Sequence, residues 1–529
     1  MDTTVQPAAV IASQEPEKVA RTEDAIIPND AEQPTHLNGT ERAIIPPGDD
    51  APDPNARPAA FRSLAHEILF VLTATMSIAM PSFLQGSILI VSPTIKNDLN
   101  ITTSQLTWVI ASSSLTSGSF LLFFGKVADM FGRRGILLTS LFIFAVFALA
   151  TGFSRDALSL NVFNGVMGLT SASIIPSAQG ILGSIYDRPS KRKNYAFACF
   201  SSGNHLGFTF SAIFSGIATQ IFGWSASFWL LAIIYLVVGV IACLTVPVDD
   251  SEKLPLTMES LKQFDYIGTM LTVTGIGLFT AGISVGPDAP EGWKTPYILV
   301  FIILGPLLLA TFVWWETHFQ YPLMPMNVWR DKEFSLLLAI LLLGFLSFPA
   351  LFFFGALYLQ ELFGYSALIT AVCLLPVAIS GVIVNVLAGR LLHKVSNKLL
   401  MGIGAAGFTI AFLLVAVQRS GASYWAFTFP AFIIIVFGTD FEFNVVNSQQ
   451  SIASSVFQST IKLATVIGLG ICAAVFASVS GNPATSGYYA HDPFEPYAAL
   501  FWFATVISFI SLLLVPFLEI KTQGSTTET

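Results

Sequence analysis

The sequence predicts an all-α polytopic membrane protein with about 14 transmembrane helices, arranged as two six-helix halves plus two extra linking helices. Of its 529 residues, 53% are hydrophobic and only 11% are charged, whereas soluble domains are about 25% charged. The apolar residues form runs of roughly 18–25, the length that crosses ~30 Å of hydrocarbon as a helix. Removing the pair of runs at 266–315 leaves six on each side.

The apolar runs follow one another from residue 67 to residue 518, separated by shorter polar segments. Each run is long enough to span the bilayer once, so each predicts one helix. The predicted helices are 67–93, 105–125, 135–153, 158–184, 195–220, 226–247, 266–285, 296–315, 334–360, 366–390, 399–417, 424–446, 452–478 and 497–518.

The helices group into predicted domains. Two six-helix halves related by an axis along the membrane normal are a transporter architecture, with the binding site between them near the midplane. Residues 1–64 are rich in Pro, Asp, Glu and Thr, so we expect a disordered cytoplasmic tail. The remaining divisions are the N-terminal bundle (65–250), the linker with two extra helices (251–320), the C-terminal bundle (321–520) and a short cytoplasmic tail (521–529).

The polar loops predict the orientation. If the N-terminal tail lies inside, most loop lysines and arginines fall on the cytoplasmic side, as the positive-inside rule requires. Both termini are then cytoplasmic, and the lipid bilayer is the surrounding partner. The charge pattern offers no basic cluster for nucleic acid.

Enzyme chemistry and cofactors are not indicated. The four cysteines lie inside apolar runs without disulfide or metal spacing. No phosphate-binding loop and no nucleophile–base cluster stands out. We therefore expect no enzyme activity, no cofactor, no bound metal and no direct use of ATP.

A charged decapeptide from Gly125 to Arg134 connects the second and third predicted helices. We expect a tight surface loop, in which Gly125 and Gly132 let backbones approach closely. Asp129 is expected to pair with Arg133 or Arg134, or to cap the third helix, and so to hold one conformation closed. The alternative is a loop that only keeps positive charge inside.

This decapeptide resembles the loop 2–3 signature of the major facilitator superfamily, and the helix count resembles its fourteen-helix drug:proton antiporter branch. The segments Gly438–Phe443 and Ser451–Gly470 resemble fungal aminotriazole-resistance and boron-efflux type transporters. The resemblance implies a monomer that exports small solutes by alternating access, with protons as the coupled ion. It also implies the plasma membrane, or as the alternative the vacuolar membrane.

Two positions differ from the antiporter branch. Its members carry an Asp in helix 1, near Leu84 here, and an Arg in helix 4, where this chain has Asn161 followed by Asn164. These differences favour the alternative function, a facilitator for ammonium or boric acid. A third hypothesis is a transporter-like sensor that signals through the N-terminal tail.

Buried charges give the main site prediction. A charge at the bilayer centre costs at least ~2.5–3.5 kcal/mol, so such groups face cavities or each other. Asp440 and Lys462 lie at similar depths on helices 12 and 13, and we expect an ion pair that lines the central cavity. The alternative is a static pair that only joins the two helices. Glu442 points away from this wall and is expected to extend to the cytoplasmic surface.

Further polar residues follow the same helix faces. Asn444 lies one turn after Asp440, and Gln458 lies one turn before Lys462, so both are expected in the cavity wall. On the N-terminal half the candidates for this pathway are Gln85, Asn161 and Asn164. Ordinary interhelical hydrogen bonding is the alternative for these three.

Helix 5 combines small residues with a titratable one. Gly203, Gly207, Ser211 and Ser215, followed by Gly216, predict a ridge against which another helix packs closely. His205, beside Asn204, could carry a proton because histidine titrates near neutrality. The alternative is a neutral histidine that only donates a hydrogen bond.

Overall fold

The computed structural model describes residues 56–186, 190–247, 264–320, 322, 326–391, 395–449 and 454–519. These residues form fourteen long helices and no β-strand. The first six are α1 (Leu64–Leu99), α2 (Thr103–Phe131), α3 (Arg133–Thr151), α4 (Ala157–Ile185), α5 (Lys191–Phe222) and α6 (Trp224–Thr245).

The remaining eight helices complete the chain. Helices α7 (Tyr266–Val285) and α8 (Pro296–His318) form a hairpin. Helix α9 (Lys332–Glu361) contains a π-helical turn. The others are α10 (Ala367–Leu391), α11 (Asn397–Ala416), α12 (Thr428–Gln449), α13 (Ser454–Gly481) and α14 (Glu495–Leu514).

Thirteen helices among the described residues are long and apolar enough to cross a membrane. Helix α2 is not among them, although its 29 residues exceed the required length. It is rich in serine and threonine, and many of these hydroxyls bond to carbonyls of their own helix, as Thr107 does with Ser104. The prediction of an all-helical polytopic membrane protein is confirmed.

Helix ends form where side chains satisfy the free backbone amides. The Ser63 hydroxyl accepts from the His66 amide at 3.1 Å and begins α1. Thr102 and Gln105 form a reciprocal capping box at the start of α2. Of the predicted tail, residues 1–55 lie outside the described residues, and Phe61 packs its ring on Phe70 of α1 at 5.3 Å.

The six-helix bundles repeat one packing pattern. In the first bundle α1 packs on α5, α2 on α4, and α3 on both α4 and α6. In the second, α9 packs on α13, α10 on α12, and α11 on both α12 and α14. Each contact therefore recurs eight helices later, which is the relation that two structural repeats produce.

The two bundles meet along two seams, α2 with α13 and α5 with α10. In the first seam a methyl group built on Gly118 would lie 2.9 Å from Lys462 Cβ. In the second, a methyl on Gly216 would lie 3.1 Å from Leu368 Cα. Glycine at both places lets the helices approach closely.

The α7–α8 hairpin lies beside the first seam. Helix α7 packs on α2, where Trp108 Nε1 donates to Ser284 Oγ at 2.9 Å, and on α13, where Gly470 contacts Thr280. Helix α8 packs mainly on α7, and most of its other side chains are exposed. The hairpin is therefore peripheral to both bundles.

Candidate functional site

One polar contact connects the two bundles near the middle of their helices. His205 Nε2 on α5 lies 3.1 Å from Asp440 Oδ1 on α12. The His205 ring also fits against Gly381 of α10, where a built methyl would lie 2.7 Å from His205 Cδ2. The absence of a side chain at Gly381 thus makes room for a histidine from the opposite bundle.

Two asparagines extend this contact. Asn385 Nδ2 lies 3.4 Å from His205 Nδ1, and Asn444 Nδ2 donates to Asn385 Oδ1 at 3.0 Å. Asn444 Nδ2 also bonds to the Asp440 carbonyl at 2.7 Å. Asp440 is 5% exposed, and its second carboxyl oxygen has no hydrogen-bond partner among the described residues. The network therefore retains one free acceptor.

The expected ion pair between Asp440 and Lys462 is not formed. Among the described residues, the ion-pair partner of Asp440 is His205. Lys462 is half-buried and faces Gly118 of α2. The two residues fail to meet because α12 and α13 share few contacts, whereas α13 packs on α2 and α9. Similar depth on consecutive helices did not imply adjacency.

The expectation for Glu442 is also wrong. Its side chain is fully buried at 0% exposure rather than extended to the surface. It lies inside the second bundle, between Gly344 of α9 and Gly404 of α11. Two glycines on neighbouring helices created a space for it that the sequence of α12 alone did not reveal.

The decapeptide is helical, not a loop. Gly125 to Phe131 form the last turns of α2, and α3 begins at Arg133. Only Gly132 breaks the helix, with φ of 106°, a conformation that favours glycine. Gly125 makes an ordinary contact with Pro176, since a built methyl would lie 3.8 Å away. The Asp129 side chain lies outside the described residues.

The two arginines bind neighbouring helices of their own bundle. Arg133 donates to the Gly180 carbonyl of α4 at 3.1 Å, and a methyl on Gly180 would lie 2.5 Å from Arg133 Nε. Arg134 donates to the Cys243 carbonyl of α6 at 3.2 Å. The start of α3 is thereby attached to both α4 and α6.

The small residues of α5 lie against α1. Gly203 contacts Thr75, and a methyl on Gly207 would lie 2.8 Å from Ala79. Ser211 and Ser215 both bond to Ser87, at 3.4 Å and 2.8 Å. Gly216 faces α10 instead, so this part of α5 contacts both bundles.

The remaining predicted residues lie apart from the His205–Asp440 contact. Gln85 Nε2 donates to Ser114 at 3.3 Å, and Asn204 bonds to Ser82, both within the first bundle. Asn164 bonds to its own helix through the Leu160 carbonyl at 2.8 Å. Gln458 and Asn161 are half-buried on α13 and α4.

A second connection between the bundles was not predicted. Helices joined by short connections run in opposite directions, so the ends of α1 and α9 lie on the side opposite the α2–α3 connection. There Lys96 Nζ forms a salt bridge with Glu361 at 2.6 Å, and Tyr497 donates to the same carboxylate at 2.6 Å. Gln360 also donates to the Ile90 carbonyl at 3.3 Å.

The sequence profile of the Major Facilitator Superfamily matches residues 69–469. The chain belongs to the Major Facilitator Superfamily. It is therefore an integral membrane transporter of small-molecule solutes, and the resemblance predicted from the decapeptide is confirmed. The crystal structure of a peptide transporter, POT, is similar with a TM-score of 0.60 and 16% identity, covering 85% of this chain and 95% of that one.

Fungal transporters are among the relatives of this superfamily member. The low affinity ammonium transporter of Saccharomyces cerevisiae is 28% identical, over 72% of this chain and 75% of the relative. The efflux pump terJ of Aspergillus terreus is 28% identical over 80% and 83%. The aminotriazole resistance protein of Saccharomyces cerevisiae is 24% identical over 84% of each.

Proposed function

We propose that this protein is a proton-coupled exporter of small toxic, drug-like or secondary-metabolite solutes. The observation that carries the proposal is the His205–Asp440 contact across the seam between the bundles. Ionisable residues inside membrane spans are costly and commonly mark proton or substrate pathways. The His205–Asp440 contact joins α5 to α12, two helices that must separate or slide when the bundles rock.

The charge state of His205 sets the strength of the contact. With a proton on both imidazole nitrogens, His205 and Asp440 form a charge-assisted hydrogen bond, which is stronger than a neutral one. The Asn385 amide must then turn to present its oxygen to His205 Nδ1. Without the second proton, the imidazole retains only a neutral N–H donor. Proton binding therefore favours the conformation in which α5 and α12 are joined, and proton release favours their separation.

The second connection supports the proposal that this conformation is closed toward the exterior. Lys96 and Glu361 join the bundles on the side opposite the α2–α3 connection. By the positive-inside rule, the α2–α3 side is cytoplasmic, so both termini are cytoplasmic as well. The conformation held by protonated His205 is then closed toward the exterior, as an exporter requires before it loads cargo from the cytoplasm.

Cargo would bind where the network leaves an acceptor free. The second oxygen of Asp440 lies next to the contact that connects the bundles. A solute that binds this oxygen weakens the hold of Asp440 on His205 and so promotes proton release. Binding of cargo and of proton then oppose each other, which is the requirement for exchange of one for the other.

A growth screen followed by flux measurement tests the proposal. Cells with and without the gene are exposed to a panel of toxic solutes, including aminotriazole, and intracellular levels are measured. The solute whose level falls most is then used in proteoliposomes with an imposed pH gradient. Flux that follows the gradient and is lost in Asp440→Asn supports proton-coupled export. Flux that ignores the gradient contradicts it.

A facilitator for a small polar solute is the second candidate. Its support is the ammonium transporter among the relatives, together with Leu84 at the position where the antiporter branch carries an aspartate. Methylammonium flux in the same proteoliposomes distinguishes the two. A facilitator equilibrates methylammonium at a rate that His205→Gln leaves unchanged.

A further inference from the structure

Glu442 lies in a closed slot inside the second bundle. The side chain is 0% exposed, and within the described part of the chain neither carboxyl oxygen has a hydrogen-bond partner. A methyl group built on Gly344 would lie 2.7 Å from Glu442 Oε2, and one on Gly404 would lie 3.0 Å from its Cγ. The two glycines thus provide the space that the carboxyl fills.

No charge on the described neighbouring residues compensates this carboxyl. On its own helix, Asp440 is bonded to His205 of α5. Among the described residues, none of the other titratable groups on the helices packed against α12 forms an ion pair or a hydrogen bond with Glu442. These groups are Lys332, Glu333, Tyr358 and Glu361 of α9, Cys373 and Arg390 of α10, Lys398 of α11, and Lys462 and Cys472 of α13.

An ionised carboxylate in such a slot is very unfavourable, because burial removes its hydration and nothing replaces it. The neutral acid is not stabilised either, since its hydroxyl finds no acceptor in the residues that the structure describes. The ability of the Glu442 carboxyl to ionise therefore does not stabilise this conformation. Ionisable residues in membrane spans commonly have a function, and the buried conformation gives Glu442 none.

We propose that Glu442 is a second proton-binding group of the transport cycle. It holds a proton in the conformation described here and releases it when the slot opens, as a carboxylic acid that ionises to a carboxylate and a free proton. This inference rests on the proposed proton-coupled transport and adds a second proton to the one carried at His205.

A continuous set of contacts connects the seam between the bundles to this slot. On α13, Lys462 packs on Gly118 of the first bundle. Two turns later in the same helix, Gly468 lies directly against the Leu346 carbonyl of α9. Leu346 follows Gly344 by two residues, so a shift of α13 against α2 displaces the wall of the slot.

Helix α9 has a place at which it can bend. A π-helical turn, Ala350–Phe354, follows Pro349 and divides the helix into two segments. Such turns are frequent at functional sites, and proline removes a helical hydrogen bond. The segment before the turn contains Gly344, so rotation about the turn would uncover Glu442 without unfolding the helix.

Infrared absorption of the reconstituted full-length protein tests the proposal without any cargo. A protonated carboxylic acid has its own carbonyl band, and the difference between wild type and Glu442→Gln assigns the band to this residue. The second conformation is obtained with Gly216→Trp, because a bulky side chain there cannot fit against Leu368 and wedges the α5–α10 seam apart. Spectra are recorded at neutral pH.

The expected result is a protonated Glu442 band in the wild type that is absent in Glu442→Gln and lost or strongly reduced in Gly216→Trp. A band of equal size in the wild type and Gly216→Trp would overturn the proposal, because Glu442 would then stay protonated in both conformations and have only a structural role. The absence of any Glu442 band in the wild type would overturn it as well.

Two further measurements keep the outcomes separate. If Glu442→Gln does not fold, Gly344→Ala serves instead, since its methyl must displace the carboxyl and shift the band. Asp440→Asn should keep the Glu442 band.

The flux and infrared measurements distinguish the two proposals. If cargo flux ignores a pH gradient while the Glu442 band behaves as expected, the proposed coupling fails. If flux follows the gradient and the band does not behave as expected, only this inference fails.

Discussion

His205 Nε2 of the first bundle lies 3.1 Å from Asp440 Oδ1 of the second. The contact forms because α5 and α10 pack closely enough for the imidazole to cross the seam beside Gly381. A titratable donor and a buried carboxylate therefore lie at the place where alternating access requires movement. In the proposed mechanism, proton binding and bundle movement are linked through this hydrogen bond.

Gly381→Ala should displace the imidazole, since the new methyl would lie 2.7 Å from His205 Cδ2. We expect about a tenfold loss of transport, roughly 1.4 kcal/mol on the rate-limiting barrier, with normal abundance in the membrane. Flux in proteoliposomes measures it. Gly402→Ala is the control, because its methyl lies at an ordinary 3.5 Å from Val515. Equal losses in both variants would contradict the argument.

Gly180→Ala should displace Arg133, because the methyl would lie 2.5 Å from the guanidinium Nε. The attachment of α3 to α4 is then weakened, and we expect transport to fall several-fold. Gly183→Ala is a close control on the same helix, since no described residue lies within 4 Å of its methyl. Unimpaired flux in Gly180→Ala would show that the Arg133 position does not matter for transport.

Lys96→Ala should favour opening on the side of the Lys96–Glu361 salt bridge. The pair is partly exposed, so the shift corresponds to roughly 0.2–1 kcal/mol. Labelling of a cysteine placed at Gln360 should become faster from the exterior. The charge exchange Lys96→Glu with Glu361→Lys should restore the wild-type rate, and Lys294→Ala, at an exposed lysine of the α7–α8 connection, should not change it.

The loop between α13 and α14 is expected to lose stability in acid because of Asp492. Burial raises its pKa, but the Phe494 amide at 2.9 Å, Ser420 and Arg419 outweigh this and hold the pKa below its usual value. The loop is therefore stabilised above the usual aspartate pKa of about 3.9, and this stabilisation is lost as the pH falls through the lower folded value.

The contribution of Asp492 is expected to be small, a few tenths of a kcal/mol, because the group is well solvated. Thermal unfolding measured against pH tests it. The wild type and Asp492→Asn should differ near neutral pH and converge in strong acid. A difference that grows in acid would have the wrong sign.

The helices and the family could be predicted from the sequence, because bilayer thickness imposes the length of each apolar run. The predicted helix ends were wrong where polar residues continue a helix. Gly125 to Phe131 were expected to form a loop and instead belong to α2. Gly132 alone ends that helix through its positive φ. A charged segment between two apolar runs did not require a loop.

The site was predicted only in part. His205, Asp440 and Asn444 were all candidates, but the order of helices along the chain does not tell which of them meet, so Asp440 was assigned to Lys462 instead of His205. Asn385 and Gly381 were missed, although both lie on α10 and their spacing of four residues places them on one face. Contacts between bundles depend on packing that no single helix encodes.

The most direct test of proton coupling at the bundle seam is solute flux in proteoliposomes with and without an imposed pH gradient. It is compared between the wild type, Asp440→Asn and His205→Gln at equal abundance. The account predicts gradient-driven accumulation in the wild type and its loss, by tenfold or more, in both variants. Gradient-driven accumulation that persists in either variant would contradict the account.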